Sequence, residues 1–235
     1  MPETLLNLEA LPETHERYHG QLDIIAPDVL AKPKYLFVGA GAIGSFTCSM
    51  LAKMGGKDIT VIDFDTIEEH NISNQFYPVD EIGTPKVDAL QAVAHEFSGE
   101  SIKTHCMEWP FPLGDEPDFD MVISCVDKME VRKALWDHYK TRTKHFIDGR
   151  MGAEFLRAFA VDTGNKEEVD YYASTLHTQA EAVQARCTEK TIMYTVLMVS
   201  GILLGLVKRS LLGQKRPVEA SYDCSSFAGV RVLRG

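Results

Sequence analysis

The sequence contains no paired cysteine motif, no excess of basic residues and no uncharged apolar run long enough to cross a bilayer. Its five cysteines are scattered without a C-x-x-C pair, which argues against a disulfide framework or a zinc clip. This usage predicts that the protein resides in a reducing compartment, the cytoplasm. The formal net charge of -10 argues against non-specific binding to nucleic acid or an anionic membrane, because like charges repel. A local basic pocket is compatible with it.

Neither a signal peptide nor a membrane span is predicted. Residues 1–16 are polar and acidic, unlike a secretory leader. The longest apolar stretch, residues 191–207, includes two threonines, a serine and two glycines. It is shorter than the roughly 20 residues of a transmembrane helix. We therefore expect a buried helix there.

The length and composition are those of one α/β domain. A chain of 235 residues with 45% hydrophobic and 25% charged residues can bury a full core. We expect one domain over residues 1–235, with a lead-in at 1–33, a nucleotide-binding core at 34–150 and an extension at 151–235.

A glycine-rich stretch organises the core. The apolar run 35–38 is typical of a strand buried on both faces, and it leads into Gly39-Ala-Gly-Ala-Ile-Gly44, a G-x-G-x-x-G pattern. Apolar residues at helical spacing follow, and a second apolar strand, 59–62, ends at Asp63. Glycines let the backbone approach phosphate oxygens, a helix N-terminus favours negative charge, and an acid after the next strand accepts ribose hydroxyls. The stretch predicts nucleotide binding.

Strands and helices continue to alternate up to residue 150. Strands are predicted at 102–106, 121–124 and 145–147, with Gly/Pro-rich turns between elements. The intervening helices have apolar stripes, which are Val87, Leu90, Ala94 and Phe97 in one and Val131, Leu135, His138 and Tyr139 in the other. This alternation predicts a Rossmann-like, doubly wound parallel sheet.

The pattern changes after residue 150. Residues 155–162 follow the fifth strand without a crossover helix, so they are expected to extend the sheet antiparallel to it. Residues 163–188 are polar and are interpreted as a mobile loop, followed by a helix at 189–212. One or two closing strands are expected within 220–233, interrupted at Ser225-Ser226.

Polar residues follow the predicted strands where ligands bind in open parallel sheets, beyond their carboxyl ends. They are the glycine loop, Asp63, Asp65, 71–75, Asp127 and 148–150, and Lys86 begins a helix at the same edge. Together these residues indicate binding of phosphate, ribose and a divalent metal. An enzyme that transfers hydride would need few of these residues, because NAD carries no reacting phosphate. NAD-dependent hydride transfer is therefore the less favoured alternative.

Five ordered motifs resemble the ThiF/MoeB/HesA superfamily, whose eukaryotic members are the ubiquitin-activating enzymes. They are the glycine loop, Asp63-Phe-Asp65-Thr-Ile, Asn71-Ile-Ser-Asn-Gln75, Gly83-Thr-Pro-Lys86, and Asp127 with Arg132. The resemblance extends over roughly residues 17–212. It implies ATP- and Mg²⁺-dependent adenylation of the C-terminal carboxylate of a small ubiquitin-like or sulfur-carrier protein by a homodimer.

The same resemblance assigns roles to individual residues. It implies that Asp63 holds the ribose, that Gly41 and Lys86 hold phosphates, and that Asp127 ligates Mg²⁺, with Asn71 and Gln75 near the phosphates. With the other residues of the glycine loop and strand ends, the expected nucleotide-binding set is Gly39, Gly41, Ala42, Gly44, Asp63, Asp65, Asn71, Gln75 and Lys86. The expected catalytic set is Lys86, Asp127, Cys187 and, as a hypothesis of our own, Arg150.

Two family arginines are replaced in this chain. Asn74 stands where the family has Arg in Asn-Leu-x-Arg-Gln, and Gly20 replaces the second Arg of Arg-Tyr-x-Arg-Gln, which in relatives reaches the neighbouring subunit's site. Such arginines offset the charge of the triphosphate. Either the chain is a weak or non-catalytic nucleotide binder, or other cations substitute. Arg17 and Arg150 are the candidates, and we hypothesise that Arg150→Ala abolishes ATP–pyrophosphate exchange while ATP binding survives.

Cys187 precedes the long apolar helix, whose N-terminus would lower the pKa of a nearby thiol. In sulfur-transferring members of the family a cysteine at this junction forms a covalent link to the partner's C-terminus. A helix-capping role without covalent chemistry is the alternative.

Overall fold

The computed structural model describes residues 13–110, 118–176 and 191–232. The helices are a 3₁₀-helix at Glu13–Gln21 and α-helices α1 Pro27–Ala31, α2 Ala42–Met54, α3 Lys86–Ser98, α4 Met129–Tyr139, α5 Lys166–Ser174 and α6 Met193–Leu211. The strands are β1 Lys34–Val38, β2 Asp58–Asp63, β3 Lys103–Cys106, β4 Met121–Ser124, β5 His145–Gly152, β6 Phe155–Asp162, β7 Glu219–Asp223 and β8 Ala228–Val232. Short 3₁₀ turns at Glu69–Asn71 and Val79–Glu81 lie between β2 and α3.

The eight strands form one sheet in the order β3-β2-β1-β4-β5-β6-β7-β8. The first five run parallel to their neighbours, and β6, β7 and β8 pair antiparallel. The predicted fold class, a Rossmann-like sheet with an antiparallel C-terminal extension, is confirmed. Because β1 is paired with both β2 and β4, chain order reverses on either side of β1, where a doubly wound sheet has its ligand crevice.

The helices cover the two faces of the sheet separately. One hydrophobic cluster joins side chains of α2, α3 and α6 to the sheet, and a second joins α4 and α5 to the opposite face. The glycine loop leads into α2 and the loop after β4 leads into α4, so the crevice lies between elements of opposite faces.

Residues 166–174 form a helix, so the prediction of a mobile loop is wrong for this part of 163–188. Asn165 caps the helix, its Oδ1 accepting the amide N–H groups of Glu167 and Glu168 at 3.0 and 3.4 Å. Tyr172 is fully buried and packs against Trp136 with ring centroids 4.7 Å apart. The helix is stabilised by these tertiary contacts rather than by an apolar stripe.

The buried face of α4 also differs from the predicted one. Leu135 and Tyr139 are buried as expected, but His138 is exposed, and Arg132 and Trp136 lie in the interior instead. Burial of Arg132 depends on an ionic partner in β5, which hydrophobic spacing does not reveal. In α3, similarly, Phe97 is 45% exposed, although the other stripe residues are buried.

The long apolar helix begins and ends close to its predicted positions. Among the residues described, α6 is the one helix whose length and mean hydropathy of 1.4 suit a bilayer span, and 44% of that window is buried inside the protein. Its inner face packs on β5, β6 and α2. Tyr194 and Leu197 on its outer face are 46% and 51% exposed.

Candidate functional site

The three glycines of the G-x-G-x-x-G pattern have different structural roles. Gly39 has a φ of +98°, and a Cβ there would lie 2.7 Å from the carbonyl oxygen of Cys125. A Cβ on Gly44 would lie 1.9 Å from the Gly39 carbonyl oxygen. Around Gly41, the N-cap residue of α2, no atom of the described residues lies within 4 Å of such a Cβ. Two glycines are therefore needed for packing, whereas Gly41 leaves open space for a ligand to approach the backbone.

Asp63 ties the end of β2 to the glycine loop. Its Oδ2 accepts the amide N–H of Ala40 at 2.6 Å, and its Oδ1 accepts that of Asp65 at 2.8 Å. Burial raises the pKa of this carboxyl, although both hydrogen bonds and the charge of Lys86 oppose the rise. Since a carboxylate has about four acceptor sites, both oxygens retain capacity for hydroxyl donors.

Lys86 lies beside the two aspartates, as expected from the sequence. Its Nζ donates to Oδ2 of Asp65 at 2.7 Å, and its backbone N–H donates to the Asp65 carbonyl at 2.9 Å. The lysine side chain is only 8% exposed, whereas that of Asp65 is 47% exposed. The Lys86 ammonium is thus held in place by Asp65, which offsets part of its charge, close to Asp63 at the end of β2.

The segment 71–77 folds over the glycine loop. The Tyr77 hydroxyl donates to the Ala40 carbonyl at 2.5 Å, and the Phe76 amide donates to Oγ of Ser45 at 3.0 Å. Gln75 precedes these two residues, and its Oε1 is buried with no partner among the residues described. Such an orphan acceptor, in the segment that folds over the glycine loop, fits a site completed by a hydrogen-bond donor of a ligand.

Asn71 is buried and has a structural role of its own. Its Oδ1 accepts the Glu68 amide N–H at 2.9 Å, closing the 3₁₀ turn that follows β2. Its side-chain N–H groups are not used in that bond.

Asp127 follows β4, the neighbour of β1 on the other side of the crevice. The Cys125 amide donates to the Val38 carbonyl at 2.8 Å, which brings the β4–α4 loop next to the glycine loop. Asp127 is exposed at the start of this loop. Within the described ranges no group of three His, Cys, Asp or Glu side chains converges on one point. One carboxylate beside a triphosphate is nonetheless a usual Mg²⁺ arrangement, with phosphates and water as the other ligands.

The strand β5 continues to Gly152 and forms a hairpin with β6. Arg150 therefore lies within this strand, beyond the end predicted at residue 147. Its Nε donates to Oδ2 of Asp148 at 2.6 Å, and its Nη1 and Nη2 donate to the carbonyl and Oγ1 of Thr175 at 3.1 and 3.2 Å. Its side chain is 11% exposed and stacks on Phe159. All three guanidinium nitrogens thus have protein partners. Its expected action on the triphosphate stays a prediction.

The other candidate cation lies at the far end of the molecule. Nη1 of Arg17 donates to the Ser98 carbonyl at the C-terminus of α3, whereas Lys86 begins that helix. Thirteen helical residues span about 20 Å. Arg17 is therefore remote from the crevice of its own chain. Cys187 lies outside the described residues.

Three residues to which the sequence analysis assigned no role contact the glycine loop or Asp148. They are Tyr77, which closes over the glycine loop, and Arg132 and Tyr172, which both donate to Asp148. Arg132 was noted only as part of a motif. The one signal that the sequence offers at these positions is a tyrosine within a polar stretch.

The sheet order, the glycine loop and the acid after β2 define an α/β protein of the Rossmann-like, glycine-loop class. The chain belongs to the ThiF family, which matches residues 21–230. The molybdopterin-synthase adenylyltransferase of Haemophilus influenzae is 30% identical over 138 residues, covering 54% of this chain and 56% of that protein. Human ubiquitin-like modifier-activating enzyme 1 is 39% identical over 89 residues, covering 29% of this chain and 8% of that protein. The match thus spans about half of the first relative and a small part of the second.

Solved structures share the fold at low identity. MccB of E. coli, crystallised with ATP, superposes with a TM-score of 0.71 at 15% identity, covering 89% of this chain and 66% of that one. PaaA superposes with a TM-score of 0.73 at 17% identity, covering 100% of this chain and 78% of that one.

Proposed function

We propose that this chain binds ATP with Mg²⁺ and adenylates a C-terminal carboxylate, releasing pyrophosphate. The observation that carries the proposal is the open space at Gly41, in a glycine loop whose Ala40 amide donates to Asp63, with Lys86 paired to the neighbouring Asp65. A dehydrogenase needs no lysine fixed at the phosphates. Membership of the ThiF family and the adenylyltransferase relative support the same reaction.

The residues divide the binding of ATP between them. The backbone at Gly41 and the N-terminus of α2 would hold phosphate oxygens, and Lys86 would offset their charge. Asp63 would accept ribose hydroxyls through its remaining lone pairs. Asp127 would ligate Mg²⁺, which neutralises charge on the triphosphate when bound.

The chain's contribution to the chemical step is positioning and charge stabilisation. A carboxylate substrate is already ionised at neutral pH and needs no general base. Lys86 would stabilise the charge as the α-phosphate is attacked. A covalent role of Cys187 would follow adenylation and is not needed for it.

The partner is proposed by class only. A small ubiquitin-like or sulfur-carrier protein fits the relatives named for molybdopterin synthase and ubiquitin-like modifiers. MccB was crystallised with MccA, so a peptide-sized partner is the alternative. We further propose a homodimer, which the exposed apolar residues Tyr194, Leu197, Phe227 and Val230 support.

The loss of two family arginines favours a second function. Asn74 and Gly20 replace two family arginines, and the structure commits Arg17 and Arg150 to other partners. A nucleotide-binding subunit without catalysis is therefore the alternative.

ATP–pyrophosphate exchange, measured with and without candidate ubiquitin-like, sulfur-carrier and peptide partners, separates the two functions. Partner-dependent exchange supports adenylation, and its loss in Lys86→Gln would link it to this site. ATP binding with no exchange for any partner would favour the non-catalytic alternative.

A further inference from the structure

A buried arginine of α4 holds the loop between β4 and α4. Arg132 is 4% exposed, and its Nη2 donates a short hydrogen bond to the carbonyl oxygen of Val126. Through Nε, the same guanidinium donates to Oδ1 of Asp148 at 2.8 Å. Arg132 thus joins β5 to the loop that contains Asp127.

The bond to Val126 fixes the backbone at Asp127. The Val126 carbonyl and the Asp127 amide belong to one peptide unit, which is planar and trans. Anchoring the carbonyl sets the rotation of that plane, so the Asp127 N–H points away from Arg132. Asp127 itself is exposed at this point of the loop.

Asp148 in turn fixes Arg132. It is fully buried, and its Oδ2 accepts Nε–H of Arg150 at 2.6 Å and the Tyr172 hydroxyl at 3.0 Å. Burial alone would raise the pKa of Asp148, but the two arginines outweigh it and hold the pKa below its usual value. The carboxylate is therefore charged at neutral pH. The planar fork of Arg132 binds it and the Val126 carbonyl simultaneously, which a lysine ammonium on a single stem does not reproduce.

We propose that Arg132 is a positioning residue: oriented by Asp148, it sets the direction in which Asp127 presents its carboxylate to nucleotide-bound magnesium. The inference rests on the proposed function. It adds that a buried residue, on the opposite face of the sheet from α2, orients the magnesium ligand. Groups that orient metal ligands typically change metal affinity 10–100-fold when they are lost.

The test compares the affinity for ATP measured by calorimetry in Mg²⁺ with that in EDTA. The ratio of the two reports the contribution of the metal and requires no partner protein. In Arg132→Lys we expect this ratio to fall about tenfold, while the affinity in EDTA changes less than about twofold. Asp127→Asn should reproduce this pattern, because it removes the ligand itself.

Arg157→Lys is the matched control. Arg157 also forms a fork with a carboxylate, donating to Oε1 and Oε2 of Glu219 at 2.7 and 2.9 Å, although its side chain is 30% exposed. That pair joins β6 to β7 and includes no residue of the β4–α4 loop. The control should lower the melting temperature without changing the magnesium ratio.

A milder variant covers the case in which Arg132→Lys does not fold. Tyr172→Phe keeps the aromatic packing and removes only the hydroxyl that donates to Asp148. We expect the magnesium ratio to fall about two- to threefold.

The outcomes distinguish the inference from the function beneath it. If the wild-type chain does not bind ATP, the proposed function fails. If it binds ATP with a magnesium ratio above one, and the folded variants keep that ratio or shift it no more than Arg157→Lys, the positioning role alone is overturned.

Discussion

Gly44 faces the carbonyl of Gly39 so closely that a Cβ at position 44 would lie 1.9 Å from that oxygen. The start of α2 is thereby pressed onto the end of β1, and the chain between them turns within the loop. This contact separates the packing role of two glycines from the open backbone of Gly41.

Gly41→Ala and Gly44→Ala should consequently have opposite effects. Gly41 has a φ of −73°, and an added methyl group meets no atom in the part of the chain that the structure describes, so the melting temperature should stay within about 2 °C. Its methyl group would occupy the space for phosphates and should weaken ATP binding at least tenfold, as measured by calorimetry. Gly44→Ala should destabilise the fold by several kcal/mol, because backbone must move. Equal loss of stability in both variants would contradict this division.

Lys86→Met tests the fixed charge at the crevice. Removing the ammonium that pairs with Asp65 should weaken ATP binding by about 10–100-fold, since phosphate oxygens lose a buried cation. The control is Lys103→Met, because Lys103 pairs with Asp58 at 2.8 Å where β2 and β3 begin, at the opposite edge of the sheet. Calorimetric affinities for ATP should differ between the two variants. If both bind as the wild type does, Lys86 does not contact the triphosphate.

Asp148→Asn should be among the most destabilising single changes in this chain. It leaves Arg132 and Arg150 buried with an excess of positive charge, at a cost of about 3–5 kcal/mol in the free energy of unfolding. Asp127→Asn, at an exposed position, should cost less than about 0.5 kcal/mol. Urea denaturation of both variants at neutral pH measures the difference. A small effect at Asp148 would show that the arginines find other partners.

The burial of His145 predicts that the folded protein loses stability in mild acid. Burial lowers its pKa to about 4, and its Nδ1 lacks a hydrogen-bond partner among the described residues. The unfolded chain therefore takes up a proton near pH 6.5 that the folded chain takes up only near pH 4. Stability should be full above pH 6.5 and fall by up to about 1.4 kcal/mol per pH unit as the pH drops towards 4.

Urea denaturation between pH 7 and 4.5 measures this slope, and His145→Gln is the matched variant because it does not titrate. Its stability should change less over the same interval. Parallel slopes in the two proteins would assign the acid sensitivity to other groups.

Features that depend on local chemistry were predictable from the sequence. The glycine loop, the strand before it and the acid at the end of β2 lie within one βαβ unit, and the parallel, doubly wound arrangement followed from the alternation of elements, whereas the order of the strands became known only from the structure. The α5 helix was missed because its burial depends on Tyr172 packing against Trp136. The face of α4 was misassigned because Arg132 is buried only through Asp148, in a strand 16 residues away. Long-range ionic pairing leaves no periodic signal in a sequence.

The central claim is that the ends of β1, β2 and β4 jointly bind a triphosphate with magnesium. Thermal-shift titration of the wild-type chain with ATP and Mg²⁺, beside a titration with NAD, tests it most directly. We predict a saturable rise in melting temperature with ATP that shrinks in EDTA and in Asp127→Asn, and no rise with NAD. Stabilisation by NAD alone, or by neither ligand, would contradict the account.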